Sequence, residues 1–198
     1  MDKTVQIQAE PLDFQTCRFT VSRPVYQGRS IYFSSREKAG GSPLAERLFG
    51  IKGVAAVLIA DNQITIGRDS QDPDWVPLGR EIGAALREHL LSGLPAVSEK
   101  IPEYLPSEKD LWKRVQSILE ERINPAVASH GGHVELLDVK KNSVYIELRG
   151  GCQGCGMAHM TLKQGIERAS RDAIPEVGEI LDTTDHAAGR NPYYAPTR

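Results

Sequence analysis

A proline-containing break near the middle of the chain limits the folds that are open to it. Residues 95–106 contain three prolines and no sustained apolar period, a composition that favours an extended segment over a packed one. At 198 residues, the chain is long enough to bury a core on each side of this segment. We therefore predict two domains, residues 1–94 and 107–198, joined by a linker over residues 95–106.

The overall composition narrows the class of protein. Hydrophobic residues make up 40% and charged residues 25% of the chain, which is typical of folded globular proteins. Lys and Arg total 24 against 26 for Asp and Glu, so we expect no broad basic surface for nucleic acid. No apolar run is long enough for a membrane span, and the first residues lack the pattern of a signal or transit peptide. We predict a cytoplasmic protein without nucleic-acid or membrane partners.

The first half of the chain alternates between strand-like and helix-like patterns. Residues 5–7 and 17–21 predict two strands, and the runs 54–59 and 64–66 predict a hairpin. A short helix is expected from Pro43, and a longer one follows Asp74. Six apolar positions of the longer helix are predicted to face the sheet: Leu78, Ile82, Ala85, Leu86, Leu90 and Leu91. These elements predict an antiparallel or mixed sheet with helices.

The second half reads as helices followed by a small sheet. A helix begins at the capping residue Ser107 and is kinked or restarted at Pro125. Residues 134–139 and 144–148 predict a hairpin, and a last short strand is expected at 177–181. The chain as a whole is therefore predicted to be an α+β protein of two small domains, the second with a three-stranded sheet and two main helices.

The segment GGCQGCG at residues 150–156 lies between a predicted strand and a predicted helix. Unpaired N–H groups at a helix N-terminus stabilise thiolates, which are the metal-binding form of cysteine. Glycine neighbours let backbone amides approach a bound anion. The segment therefore predicts a site at which Cys152 and Cys155 bind metal.

The number of cysteines then bears on which group is bound. A 4Fe-4S cluster normally needs four thiolates, and the only other cysteine is Cys17. Because Cys17 shares a predicted strand face with Phe19 and Val21, we expect it to be a buried apolar residue. Two copies of the chain, each contributing Cys152 and Cys155, would complete the set in a homodimer.

The local pattern leaves other interpretations open. His130 and His133 have a spacing suited to zinc, and with the two cysteines they would form a zinc-stabilised interaction module. A dithiol oxidoreductase also places C-x-x-C at a helix start, although a thioredoxin-like setting needs a preceding βαβ unit. The cysteines could also simply pack.

Several longer sequence segments, in both halves of the chain, resemble those of a known family. ASHGGHVE at residues 128–135, GGCQGC at 150–155 and TLKQGIE at 161–167 resemble the cluster-binding domain of the Nfu family, a module that also ends the NifU scaffold proteins. SPLAERLF at residues 42–49 and SGLP at 92–95 resemble the N-terminal domain of the same family.

This resemblance implies a function. It implies that Cys152 and Cys155 bind a 4Fe-4S cluster, which is received from an upstream assembly scaffold and delivered to apo iron–sulfur proteins such as lipoyl synthase and aconitase-like enzymes. It also implies a partner-recognition role for the N-terminal domain. The family offers no enzymatic residue to transfer, so the resemblance predicts a carrier and not an enzyme.

Overall fold

The computed structural model describes residues 5–69, 74–98, 101, 105–129, 131–150, 156–175 and 177–184, with side chains described from residue 162 onward in the helix that begins at Gly156. The chain divides into two compact units, Met1–Leu105 and Pro106–Arg198. Each unit combines a sheet with helices. This arrangement confirms the predicted α+β class.

The first unit contains a five-stranded sheet in the order β1-β2-β5-β4-β3, and every neighbouring pair is antiparallel. Its strands are β1 (Ile7–Pro11), β2 (Thr16–Val21), β3 (Tyr26–Phe33), β4 (Val54–Asp61) and β5 (Gln63–Arg68). The predicted hairpin is confirmed as β4 and β5, with Asp61 in the left-handed conformation at φ 48°. Strand β3 was not predicted, because its first four residues are not buried and its register shifts between Tyr26 and Ser30.

Two helices pack on this sheet, α1 (Pro43–Phe49) and α2 (Val76–Ser92). Ser42 caps α1 by accepting a hydrogen bond from the Ala45 amide at 3.2 Å. Gly93 ends α2 with φ 74°, a conformation that favours glycine. Of the six apolar positions predicted to face the sheet, Leu91 is wrong, since it is exposed. The buried stripe of α2 ends on His89 instead, because Ile82, Leu86 and His89 follow each other at helical spacing.

Part of the segment that we expected to resist packing lies against the first core. The Ala96 carbonyl accepts hydrogen bonds from Ser42 Oγ at 2.7 Å and from the Leu44 amide at 3.3 Å. The Ser98 amide donates to the Gly41 carbonyl at 2.8 Å, and the side chains of Ala96 and Val97 are buried. The prediction of an unpacked segment is wrong at residues 96–98, because Ala96 and Val97 are apolar and join the core of the first unit.

The second unit contains a three-stranded sheet in the order β6-β7-β8, in which β6 and β7 are antiparallel and β7 and β8 are parallel. Its elements are α3 (Glu108–Ile118), a π-helical segment (Leu119–Ile123), α4 (Asn124–Ala128), β6 (Gly132–Lys140), β7 (Ser143–Gly150), α5 (Gly156–Ala173) and β8 (Ile180–Asp182). The three-stranded sheet and its hairpin are as predicted. Strand β8 is shorter than expected and starts at Ile180.

The helix that precedes the sheet is interrupted where the sequence predicts. Ser107 Oγ accepts a hydrogen bond from the Asp110 amide at 3.1 Å and caps α3. Pro125 occupies the first turn of α4 and cannot donate a backbone hydrogen bond to the preceding turn. The helix accordingly widens to π geometry before it restarts as α4.

The outer edge of β6 is occupied by a side chain. Asn124 Oδ1 accepts from the Val134 amide at 2.8 Å, and Asn124 Nδ2 donates to the Val134 carbonyl at 3.1 Å. Both backbone groups of Val134 that point away from β7 are therefore satisfied within the unit. This contact fixes the start of α4 against β6, the strand that pairs with β7 beside the cysteine segment.

Candidate functional site

The cysteine segment connects β7 to α5. Strand β7 ends at Gly150 and α5 begins at Gly156, so Cys152 and Cys155 fall in the five-residue connection 151–155. These two residues, and with them the predicted ligand set, lie outside the described residues. The described flanks nevertheless define the strand that enters the connection and the helix that follows it.

Gly150 fixes the point at which the chain leaves the sheet. Its φ of 65° lies in the left-handed region, and a Cβ at this position would collide with the carbonyl oxygen of Gly131. Gly150 also pairs with Gly132 at the start of β6. Only glycine satisfies both the backbone angle and the close approach. Residues 131–133 are thereby held directly beside the entrance to the cysteine connection.

A compact charge cluster lies next to this entrance on the face of the sheet opposite the core. Arg149 Nη2 lies 2.5 Å from Glu135 Oε2 and 2.8 Å from Glu147 Oε2. Glu135 and Glu147 are cross-strand partners, and the guanidinium between them offsets their mutual repulsion. The hydrogen bond to Glu147 is the main cause that raises the pKa of Arg149 above its ordinary value. The positive charge of Arg149 is thus committed to two carboxylates of the sheet.

Two threonines after β8 support the other edge of β7. Thr184 Oγ1 accepts a hydrogen bond from the Leu148 amide at 2.7 Å and donates to Asp182 Oδ1 at 2.6 Å. Thr183 Oγ1 donates to the Ile146 carbonyl at 3.0 Å. Both threonines are buried. The two threonines continue the hydrogen bonding along β7 beyond the end of β8. This support reaches Leu148, two residues before Gly150. No local signal marks the two threonines in the sequence, because a Thr-Thr pair after a short strand resembles an ordinary turn.

Cys17 lies in the other unit, within β2. Its side chain is 1% exposed and shares the core with Phe19 and Val21, which confirms the prediction of a buried apolar residue. Burial is the main cause that raises the pKa of the Cys17 thiol to about 11. A neutral, enclosed thiol is a poor metal ligand and a poor nucleophile.

The histidines of the zinc alternative are only partly described. His133 is exposed in β6 and pairs across the sheet with Arg149, whereas His130 lies outside the described residues. Within the part of the chain that the structure describes, no group of three or more His, Cys, Asp or Glu side chains is arranged to hold a metal ion. In that same part, every helix is too short or too polar to cross a membrane.

Comparison with known proteins matches both units. Residues 115–181 match the family model described as the NifU-like domain, and residues 5–93 match the scaffold protein Nfu/NifU N-terminal model. The chain is 32% identical over 184 residues to the human "NFU1 iron-sulfur cluster scaffold homolog, mitochondrial", covering 91% of this chain and 72% of that protein.

Two further relatives illustrate how the similarity is distributed. The "Fe/S biogenesis protein NfuA" of Pseudomonas savastanoi is 42% identical over 105 residues, which cover 51% of this chain and 53% of that protein. A NifU-like protein of Schizosaccharomyces pombe is 31% identical over 152 residues, covering 73% of this chain and 58% of that protein. The chain thus matches little more than half the length of either relative.

The two matched models, one on each compact unit, define the class as a two-domain NifU-type iron–sulfur scaffold. The chain belongs to the Nfu family, as the resemblance of its sequence predicts.

Proposed function

We propose that this protein carries a 4Fe-4S cluster between two copies of itself and transfers it to apo iron–sulfur proteins. Cys152 and Cys155 of each copy provide the four thiolates. The observation that carries the proposal is the position of the C-x-x-C in the short connection between β7 and α5 of a NifU-like domain.

The setting of the two cysteines favours metal binding. Cys155 immediately precedes Gly156, the first residue of α5, a helix of 18 residues. The unpaired N–H groups and the positive end of such a helix stabilise an anion placed before it. Two thiolates and the sulfides of a cluster together carry the negative charge that this position favours.

The burial of Cys17 supports a cluster shared by two chains. Cys17 belongs to the core of the first unit, and burial holds its pKa at about 11. Of the three cysteines of the chain, only Cys152 and Cys155 then remain as ligands for a cluster that needs four. A twofold-symmetric pair of chains supplies the other two.

Sharing the cluster also gives a route for its release. Client thiolates displace Cys152 and Cys155 stepwise, and separation of the two copies removes half of the ligands at once. The first unit recognises the client while the second delivers the cluster, so the two steps are linked by effective concentration. On this proposal the clients are cytoplasmic apo-proteins of the lipoyl synthase and aconitase-like kinds, the donor is an upstream assembly scaffold, and the protein is a carrier without catalytic residues.

Anaerobic reconstitution with iron and sulfide tests the proposal. Wild-type protein should become brown and hold four irons and four sulfides per two chains, with the mass of a dimer. Cys152→Ser and Cys155→Ser should each lose the cluster while keeping the circular dichroism of the wild type. Cys17→Ala is the matched control, because it removes a cysteine from the chain but should leave cluster binding unchanged.

Three results would contradict the proposal. A full cluster on a monomer would show that ligands come from elsewhere in the same chain. Colourless protein with one zinc per chain, lost in His133→Ala, would support the zinc module instead. Iron-free protein that reduces insulin disulfides would support a dithiol oxidoreductase.

A further inference from the structure

The exposed apolar side chains of the first unit are concentrated along one helix. In the described part of the chain, the exposed large hydrophobic residues are Phe14, Val76, Leu91 and Leu94. Val76 and Leu91 lie on α2, and Leu94 follows the glycine that ends it. Single exposed apolar residues are ordinary on protein surfaces, but three of these four lie on or directly after the same helix.

Phe14 is held at the same end of the unit as Val76. Trp75 Nε1 donates to the Asp13 carbonyl at 3.1 Å. Arg68 Nε donates to the Phe14 carbonyl at 2.8 Å, and Arg68 Nη1 donates to the Asp74 carbonyl at 2.9 Å. The Arg68 guanidinium also stacks 4.2 Å from the centre of the Trp75 ring. These contacts fix the β1–β2 turn against the start of α2.

The solvent face of α2 alternates apolar and cationic residues. Its exposed positions recur every three or four residues and form one line, which we call the α2 stripe: Val76, Arg80, Ala84, Arg87 and Leu91. Residues at this spacing lie on the same side of a helix. The 17 residues of α2 correspond to a length of about 25 Å.

Both arginines of the stripe lack an acidic neighbour on the helix. The positions three and four residues away from Arg80 and Arg87 hold only apolar residues, glycine or proline: Val76, Pro77, Gly83, Ala84, Leu90 and Leu91. Among the described residues, neither arginine makes an ion pair. By contrast, Glu88 lies beside the stripe and pairs with Arg47 at 2.7 Å. The two guanidiniums of the stripe are therefore available to a partner.

The charges on α2 balance in number, but they are not all paired with one another. The helix carries Arg80 and Arg87 against Glu81 and Glu88, and Glu88 is paired with Arg47 from α1. Among the described residues, Arg80 and Arg87 therefore give the stripe two positive charges without an acidic partner, which favours a binding partner that carries carboxylates.

Two glycines next to the stripe leave open space above the helix backbone. Gly79 and Gly83 have nothing within 4 Å of the place where a Cβ would stand. Each glycine inside a helix costs about 1 kcal/mol relative to alanine. Together with Ala84 they leave a smooth strip on which the backbone of another helix can approach closely.

We propose that the α2 stripe binds an amphipathic segment of a client protein, in which apolar side chains alternate with Asp or Glu. The apolar side chains of that segment would pack on Val76 and Leu91, and its carboxylates would pair with Arg80 and Arg87. The identification of the partner as a client rests on the proposed carrier function, whereas the binding itself does not.

The same features disfavour the other occupants. A second copy of α2 would bring arginine against arginine. A membrane-surface helix needs a wide apolar face and a strongly basic polar face, whereas the stripe is narrow and is bordered by Glu81 and Glu88.

Binding of designed peptides to the full-length apo-protein tests the proposal. The probes are a fluorescent amphipathic peptide of about 18 residues, or five helical turns, with Leu on one face and Glu beside it, and the same peptide with Lys in place of Glu. Fluorescence anisotropy should show that the acidic peptide binds wild-type protein. Arg80→Glu/Arg87→Glu should weaken it by about tenfold and should bind the lysine peptide more tightly than the acidic one.

The matched control reverses two exposed arginines of the same unit outside the stripe, Arg29→Glu/Arg36→Glu, and should leave the affinity for the acidic peptide unchanged. Gly83→Leu should weaken binding without charge change, because the side chain blocks the smooth strip. All variants should keep the wild-type circular dichroism.

The outcomes separate this inference from the carrier proposal. Equal affinity of the acidic peptide for wild type and Arg80→Glu/Arg87→Glu, or no binding at millimolar peptide, would overturn it. If the wild-type protein bound neither peptide but sedimented with vesicles containing about one-third phosphatidylserine, the partner of the stripe would be a membrane instead. Cys152→Ser should bind the acidic peptide like the wild type, so a failure to hold a cluster leaves this test intact.

Discussion

The two units differ in where their reactive side chains lie. In the first unit these side chains are almost fully buried: Cys17 lies in the middle of β2 and His89 on the buried face of α2. The second unit places Cys152 and Cys155 in the connection between a strand and a helix. The same residue type is thus a core side chain in one unit and a candidate ligand in the other.

The difference shows how backbone position sets cysteine chemistry. Burial disfavours the thiolate and raises the pKa of Cys17 to about 11. A position before a helix has the opposite influence, because unpaired amides and the helix dipole favour the thiolate. A count of cysteines is therefore informative only after each has been assigned to an element.

Thiol labelling directly tests the contrast between Cys17 and the two cysteines of the second unit. In native apo-protein at pH 7.5, we expect two thiols per chain to react with a disulfide reagent, and Cys17 to react only after unfolding. Burial raises the pKa of Cys17 from 9.0 to about 11, which lowers its thiolate fraction roughly 100-fold, and the enclosed position slows access of the reagent further. Mass spectrometry identifies the labelled residues. Rapid labelling of Cys17 in the native state would show that the first unit does not enclose it.

Replacement of Gly150 should weaken the second unit alone. Gly150→Ala combines a left-handed backbone angle with a collision against the Gly131 carbonyl, and we expect a loss of about 3 kcal/mol. Hydrogen exchange of the β6 and β7 amides measures it. The control is Gly83→Ala in α2, where a Cβ meets nothing and stability should rise by about 0.5–1 kcal/mol. If Gly150→Ala left the stability of the second unit unchanged, the entrance to the cysteine connection would not be fixed by this contact.

Thr184 provides a smaller test of the same entrance. Thr184→Val leaves the buried Leu148 amide without its acceptor, and should destabilise β7 by about 1–3 kcal/mol. Thr184→Ser keeps the hydroxyl and should recover most of the loss. The protection of the Leu148 amide against hydrogen exchange is the measurement. Equal protection in the Val and Ser variants would mean that the hydroxyl does not support β7.

The smallest effect concerns the enclosed histidine of the first unit. Burial, followed by the nearby Arg47, lowers the pKa of His89 below its ordinary value of 6.5. The unfolded chain then binds more protons than the folded one, so stability is full above pH 6.5 and falls as the pH drops toward the folded pKa. His89→Gln removes this group, and its free energy of unfolding should depend less on pH between 7.5 and 5.5 than that of the wild type. Parallel curves from urea unfolding would contradict the assignment.

The sequence predicted those parts of the fold that depend on local signals. The cap at Ser107, the helix that starts at Pro43 and the hairpin formed by residues 54–59 and 64–66 depend on immediate neighbours in the chain, and the structure contains all three. Strand β3 was missed because its pairing with β4, and not its own pattern, defines it. The roles of Ala96 and Thr184 depend on partners 54 and 36 residues away. No local pattern reveals such contacts.

The same distinction between local signals and contacts distant in sequence applies to the candidate site. The motif and its place between a strand and a helix are local, and the described β7 and α5 agree with that placement. The sequence does contain a signal for the close approach of Gly150 to Gly131, because one Gly-Gly pair lies where β6 begins and another where β7 ends. The bracing by Thr183 and Thr184 could not, because it depends on the parallel return of the chain beside β7.

The Asn124 side chain on the outer edge of β6 has a consequence for how two copies meet. An uncovered edge strand invites another sheet to join it through continuous backbone pairing, and such unions are hard to undo. Because Asn124 occupies both outward groups of Val134, backbone pairing with another sheet is blocked at this residue. On the carrier proposal, two copies are then held together by the cluster that they share and separate when it is transferred.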